Sequence, residues 1–210
     1  MSECIKIVTS YPYFMNETQF QPTPQPVKKE NVWFEVIRFI IIVLAIVLPV
    51  RLLIAQPYIV SGASMDPTFE TGEYIVVDLL SYEIGQPQRG QVVVFRYPNN
   101  PSVYYIKRII GLPGETVILD GTTVTIKNKE HPEGFTLNEP YISNRNEKED
   151  SLTKNLLADE YFVLGDNRRE SSDSRSWGVL PKKYIVGTPF VRLFPFDRIS
   201  VRPGLYPEPK

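Results

Sequence analysis

Thr116-Val117-Ile118-Leu119-Asp120-Gly121-Thr122-Thr123-Val124-Thr125-Ile126 decides the fold class. Two runs rich in β-branched residues flank Asp120-Gly121, and such residues favour strands. Asp-Gly suits a two-residue turn that needs positive φ, so the stretch predicts a β-hairpin. Its surroundings have the same character. Tyr74-Ile75-Val76-Val77, Gln91-Val92-Val93-Val94-Phe95, Val103-Tyr104-Tyr105-Ile106, Tyr161-Phe162-Val163-Leu164 and Phe190-Val191-Arg192-Leu193-Phe194 are short β-branched or aromatic runs between turns. Asn144 to Asp159 is polar and charged and reads as a loop or a short helix. Residues 127–159 fit a lid, a hairpin extension or a loose loop alike. The expected fold class is mainly β, with one antiparallel β-sheet domain over residues 57–210.

Upstream of the strands lies the most apolar part of the chain, containing Phe39-Ile40-Ile41-Ile42-Val43-Leu44-Ala45-Ile46-Val47-Leu48. A membrane-crossing helix needs about 20 apolar residues for ~30 Å of hydrocarbon. The unbroken run between Arg38 and Arg51 is shorter, and also fits a signal-peptide core or a buried helix. Three features favour a span. Arg38 and Arg51 can snorkel to opposite interfaces. Trp33, Phe34 and Tyr58 stand where interfacial aromatics belong. Pro49 is better tolerated in membrane helices than in soluble ones. Residues 32–56 are therefore expected to form one transmembrane anchor helix. Residues 1–31, with the alternating prolines of Gln21-Pro22-Thr23-Pro24-Gln25-Pro26, are expected to be a disordered tail. Lys28, Lys29 and Arg38 on that side place the tail in the cytoplasm and the β-rich domain outside.

Composition excludes several classes. The 210 residues are 42% hydrophobic and 22% charged, with formal net charge −1. That balance gives no field to attract nucleic acid, and no nucleic-acid partner is expected. Cys4 is the single cysteine, so no internal disulfide forms. His131 is the single histidine and sits in Lys129-Glu130-His131-Pro132-Glu133, which reads as a solvated loop. One histidine cannot build the usual zinc set, and no His-Glu-x-x-His is present, so no metal or cofactor is expected.

Three segments hold candidate chemistry. Ser61-Gly62-Ala63-Ser64-Met65-Asp66-Pro67-Thr68 reads as an ordinary loop or as an exposed nucleophile on a tight turn. Lys107 interrupts the apolar run Tyr105-Ile106-Lys107-Arg108-Ile109-Ile110. It is a surface lysine or a functional one, and alternation puts it on the face of Tyr105, opposite Ile106 and Arg108. Gly165-Asp166-Asn167-Arg168-Arg169-Glu170-Ser171-Ser172-Asp173-Ser174-Arg175-Ser176-Trp177-Gly178 is a solvated loop, the scaffold of a site or an anion-binding nest.

Taken in this order, the three segments resemble the type I signal peptidases of bacteria. That family's pattern has Ser-Met-x-Pro-Thr, then Lys-Arg-x-x-Gly-x-Pro-Gly, then a glycine-led polar stretch running into Asp-Ser-Arg-x-x-Gly. Arg89-Gly90-Gln91-Val92-Val93-Val94-Phe95, Leu137-Asn138-Glu139-Pro140-Tyr141 and Phe194-Pro195-Phe196-Asp197-Arg198-Ile199 are similar to further family boxes. The likeness runs from about Arg38 to the C-terminus.

The resemblance implies a membrane-bound, monomeric serine endopeptidase that cleaves signal peptides from secretory precursors. It implies Ser64 as nucleophile and Lys107 as general base. It gives Ser171 as a hydrogen-bond partner of the lysine amine, and Asp173 with Arg175 as a supporting ion pair near Arg108. Tyr58, Val60, Met65, Tyr105 and Ile106 would line shallow substrate subsites, with the substrate added to strand edges. Gly62 stands where some members carry a serine whose hydroxyl helps hold the oxyanion, which leaves backbone N–H groups or water for that task. Arg169-Glu170, Gln91 and Glu115 also depart from the family pattern.

The physical requirement for this chemistry is an uncharged amine. At an ordinary pKa of ~10.4 only about 0.04% of a lysine is neutral at pH 7. Making the neutral form dominant takes a shift of more than ~3 units, which burial can supply. Rival readings are a self-cleaving repressor, a membrane-tethered scaffold with an inactive dyad, and a metalloprotease. The first needs an N-terminal DNA-binding helical domain, for which the proline-broken tail is too short. The third fails on histidine count.

Overall fold

The structure is a computed structural model and describes residues 31–49, 54–80, 82, 85–142 and 151–206. The expected tail falls outside the described residues apart from Asn31.

Val32–Pro49 forms helix α1, and none of its residues is buried. At 1.5 Å per residue it is about 27 Å long, close to the thickness of a bilayer's hydrocarbon core. Among the described residues it is the one helix long and apolar enough to cross a membrane. The expected anchor segment, 32–56, extends too far. Ala55 and Gln56 already belong to strand β1 (Ala55–Ile59), where they pair with Asp78 and Val77.

The remaining strands are β2 (Tyr74–Asp78), β3 (Val92–Tyr97), β4 (Asn100–Gly111), β5 (Thr116–Asp120), β6 (Thr123–Lys127), β7 (Phe135–Thr136), β8 (Ser151–Asn155), β9 (Glu160–Leu164), β10 (Leu180–Pro181), β11 (Ile185–Phe194) and β12 (Ser200–Val201). A larger antiparallel sheet has the order β1-β2-β11-β3-β4-β9-β10, with β12 on β11. A smaller one has the order β7-β6-β5-β8. The fold is mainly antiparallel β with one N-terminal apolar helix.

The pattern of apolar residues explains the layering. In β3, Val92 and Val94 pack with Val60, Met65, Phe69, Ile75 and Val77, while Val93 and Phe95 pack with Ile109, Tyr161, Val163 and Leu180. Both faces are buried, which is why this run is continuously apolar instead of alternating. In the smaller sheet Val117, Leu119, Val124 and Ile126 point one way, toward Ile110, Leu156, Phe162 and Leu164. There the period of two is plain in the sequence.

The hairpin forms, but its turn is displaced by one residue. Asp120 pairs with Thr123, so the loop is Gly121-Thr122 and not Asp120-Gly121. Gly121 has φ 57°, and a glycine in first loop position is what a type II′ turn demands. The polar stretch Asn144–Asp159 is neither loop nor helix throughout. Its residues 151–155 form β8, paired with β5 from Ser151↔Asp120 to Asn155↔Thr116. Only Leu152 of that strand packs on the core, so the apolar signal for it was a single residue. The region downstream of β6 therefore extends the hairpin into a sheet.

Candidate active site

The serine segment follows β1 directly. The Phe69 N–H donates to the Met65 carbonyl at 3.0 Å and the Asp66 N–H to the Ala63 carbonyl at 3.2 Å, closing a compact turn. Met65 and Phe69 anchor that turn in the core beneath β2 and β3. Ser64 is left half-buried at the lip. Lys107 approaches it from β4, and its Nζ donates to Ser64 Oγ at 2.6 Å and to the Ile106 carbonyl at 2.9 Å.

Lys107 is only 4% exposed. Burial pushes its pKa down from 10.5 to about 8, while the charges of Asp173 and Asp166 pull the other way. Desolvation wins because no carboxylate touches the amine directly. The shift is smaller than full neutrality at pH 7 requires. It leaves about a tenth of the amine uncharged there, on the order of 200-fold more than for a free lysine. The Tyr105 ring, 5.3 Å from Nζ, lies on the same side and is itself stacked on Tyr97 at 4.7 Å. Phe95 and Trp177 complete this apolar packing.

Arg108, the next residue, is fully buried. Its expected neighbourhood was the Asp173–Arg175 pair. Its partner is instead Asp166, with Nε to Oδ1 at 2.8 Å and Nη2 to Oδ2 at 2.6 Å. Asp166 Oδ2 also accepts from the Thr68 hydroxyl at 2.5 Å. Asp173 is occupied elsewhere. It takes Arg175 Nε at 2.9 Å and the Gly165 N–H at 3.1 Å. It also caps the short helix α2 (Ser174–Trp177) through the Arg175 N–H.

The loop after β9 clamps the serine turn from behind. The Asn167 N–H donates to the Ser64 carbonyl at 3.1 Å, and Asn167 Nδ2 to the Ala63 carbonyl at 3.0 Å. Gly165 allows this close approach, since a Cβ there would lie 2.4 Å from the Ser64 carbonyl oxygen and 2.3 Å from Ser171 Oγ. Ser171 does not make the expected bond to Lys107. Its Oγ is buried with no hydrogen-bond partner among the described residues. The lysine's contacts go to Ser64 and Ile106 instead.

A cleft of about 290 Å³ opens over Ser64 and Lys107 and includes Tyr58, Val60, Tyr105 and Ile106 in its walls. Met65 is not among its lining residues. At 1% exposure it is a core side chain, because the turn that presents Ser64 rotates its successor inward. Gly62 lines the cleft with φ 100°, and its N–H is committed to Thr71 Oγ1 at 3.0 Å. The Ser64 N–H has no protein acceptor among the described residues. Sequence reasoning overlooked Tyr104, Glu170 and Ser172, which also line the cleft, and the clamping roles of Asp166 and Asn167. The Gly-Asp-Asn step directly after an apolar strand was the available signal for the last two.

The family model described as "Signal peptidase, peptidase S26" matches residues 33–194. A signal peptidase I of Bacillus licheniformis is 36% identical over 181 residues, covering 81% of this chain and 94% of that protein. One from Bacillus amyloliquefaciens is 36% identical over 193 residues, covering 87% of this chain and 96% of that protein. The crystal structure of a signal peptidase I from Enterococcus faecalis has 33% identity and a TM-score of 0.42, covering 50% of this chain and 97% of that one. With the family match spanning most of its length, the chain belongs to the signal peptidase family, peptidase S26.

Proposed function

We propose that Ser64 is the nucleophile and Lys107 the general base of a signal peptidase I. As a member of its family the protein is a serine peptidase that cleaves signal peptides and is held at a membrane by its apolar N-terminal helix. The observation that carries the dyad reading is the 2.6 Å approach of a buried amine to a serine hydroxyl that lines a cleft.

The chemistry follows from that pair. The neutral Lys107 amine takes the Ser64 proton as Oγ attacks the scissile carbonyl carbon. The developing oxyanion is met by the Ser64 N–H, a donor left without an acceptor among the described residues. The resulting ammonium returns its proton to the leaving amine, the C–N bond breaks, and an acyl-Ser64 ester remains. The amine, neutral again, activates a water that hydrolyses the ester and regenerates the hydroxyl. Asp173, Arg175, Asp166 and Asn167 hold the two reacting groups in place. Tyr58, Val60, Tyr105 and Ile106 form the subsite walls. The N-terminus lies in the cytoplasm and the β domain, as a monomer, on the opposite side of the membrane, an orientation supported by Lys28, Lys29 and Arg38.

Incubating the detergent-solubilised protein with a secretory precursor tests the dyad. The mature band forms with the wild type and is absent with Ser64→Ala and with Lys107→Ala. Processing that survives Lys107→Ala assigns the base elsewhere. Orientation is read from the lone Cys4, which a membrane-impermeant maleimide leaves unlabelled in intact cells. Labelling there reverses the topology.

A further inference from the structure

The C-terminal segment Pro203–Tyr206 lies beyond the family match, which ends at residue 194. It nevertheless reaches both halves of the dyad's support. On the lysine side, Arg108 Nη1 donates to the Gly204 carbonyl and to the Gly90 carbonyl, each at 2.6 Å. The Arg108 guanidinium lies against two adjacent rings, Tyr141 at 3.9 Å and Tyr206 at 5.1 Å from its carbon, whose centroids are 5.3 Å apart. On the serine side, Gly204 sits so close to the serine turn that a Cβ would be 2.9 Å from Thr68 Cγ2 and 3.0 Å from Phe69 Cε2. Thr68 is the residue whose hydroxyl meets Asp166. The carbonyl of Tyr206 packs equally tightly on Gly90.

We propose that Pro203–Tyr206 is a positioning strap for the dyad, with Tyr206 as its principal side chain. Docked, it keeps Arg108 dry and seated on Asp166, and so fixes the register of β4 against the serine turn. The inference rests on the Ser64–Lys107 reading. A cation packed against aromatic faces and stripped of water binds its carboxylate more strongly. Without the Tyr206 ring, water reaches the guanidinium and Asp166 is less fully neutralised.

Lys107 feels that change. The charged groups acting on it are Asp166 and Asp173, both of which favour its ammonium form. Asp173 stays neutralised by Arg175 whatever the strap does. Tyr105 faces the amine from its own strand, and Tyr58, Tyr104 and Glu170 line the cleft beside it. Tyr141, with Glu139 and Arg168 behind it, faces Arg108 and keeps its place. Asp166 is thus the group whose influence on the amine grows when the strap is weakened.

The test is the pH dependence of kcat and KM on a signal-peptide substrate, using the full chain in detergent as wild type, Tyr206→Ala, Tyr206→Phe and Ser64→Ala. In Tyr206→Ala the acidic limb moves to higher pH by about half a unit or more, and kcat at pH 7 falls about threefold to tenfold with KM little changed. Tyr206→Phe, which keeps the ring face, restores the wild-type profile. A Tyr206→Ala profile that superimposes on wild type, a uniform loss with no movement of the limb, or a Phe variant as impaired as Ala each overturns the strap. Should the Ala variant lack a cooperative thermal transition, Tyr206→Leu is read by the same criteria. Cleavage by Ser64→Ala at the wild-type rate removes the dyad reading. Its expected inactivity beside an unmoved Tyr206→Ala limb removes the strap alone.

Discussion

Arg108 and Asp166 meet through two parallel hydrogen bonds, Nε to Oδ1 at 2.8 Å and Nη2 to Oδ2 at 2.6 Å. Both side chains are almost wholly out of water. Removing one partner of such a pair strands the other charge, which costs ~3–5 kcal/mol. Asp166→Ala is therefore expected to lower the urea midpoint of the β domain by more than any single change within the cleft. An Asp166→Ala protein as stable as wild type would show that Arg108 is neutralised by some other group.

The depressed pKa of Lys107 fixes the sign of the pH profile. In the proposed dyad the amine is charged and inactive well below its pKa and becomes a base as pH rises through about 8. kcat/KM for a signal-peptide substrate should rise about tenfold per pH unit below that value and flatten above it. A profile already flat from pH 6 to 8 would place the titrating base elsewhere.

Gly165→Ala tests the clamp. Its Cβ would lie 2.3 Å from Ser171 Oγ and 2.4 Å from the Ser64 carbonyl oxygen, and that carbonyl is backbone. The serine turn must shift away, and a displacement of about 1 Å at a nucleophile costs on the order of 100-fold in rate. kcat is expected to fall to that extent while far-ultraviolet circular dichroism stays unchanged. Activity within twofold of wild type would mean that the turn is soft.

At Ser171 the hydroxyl is buried and lacks a partner among the described residues. Deleting an unsatisfied buried polar group is close to neutral or stabilising. Ser171→Ala should keep or slightly raise the thermal midpoint. A fall of several degrees would indicate a hydrogen bond formed by that hydroxyl.

Gly62→Ser enters open space but must hold φ near 100°, outside the range that residues with a side chain favour. A loss of about 1–2 kcal/mol in stability with measurable cleavage is the expected combination. Complete inactivity of a folded variant would show that the backbone at 62 takes part in the site.

Legibility followed the physics of each signal. The alternating runs of β5 and β6 and the doubly buried run of β3 declared themselves, because burial on one or both faces dictates residue type. The turn between β5 and β6 was placed one residue early, since Asp120-Gly121 and Gly121-Thr122 both put a glycine at positive φ. Strand β8 was hidden, as backbone pairing with β5 demands little of its side chains. At the site, the expectation that Ser64 and Lys107 lie together came from the ordered family motifs, and the two side chains do meet. The partner of Arg108 was not legible, because Asp166 and Asp173 are chemically identical and only the path of the loop after β9 separates them. Met65 was misplaced for a related reason, since the direction of a turn residue depends on a backbone that no periodicity describes.

The bond from the Asn167 N–H to the Ser64 carbonyl joins positions far apart along the chain. A ribosome working from the N-terminus makes Ser64 long before it makes Asn167. A nascent chain that stops short of residue 167 carries the serine and the lysine without the geometry that arms them. The serine turn therefore gains this bond only once synthesis has passed residue 167 and the loop after β9 has folded back onto it.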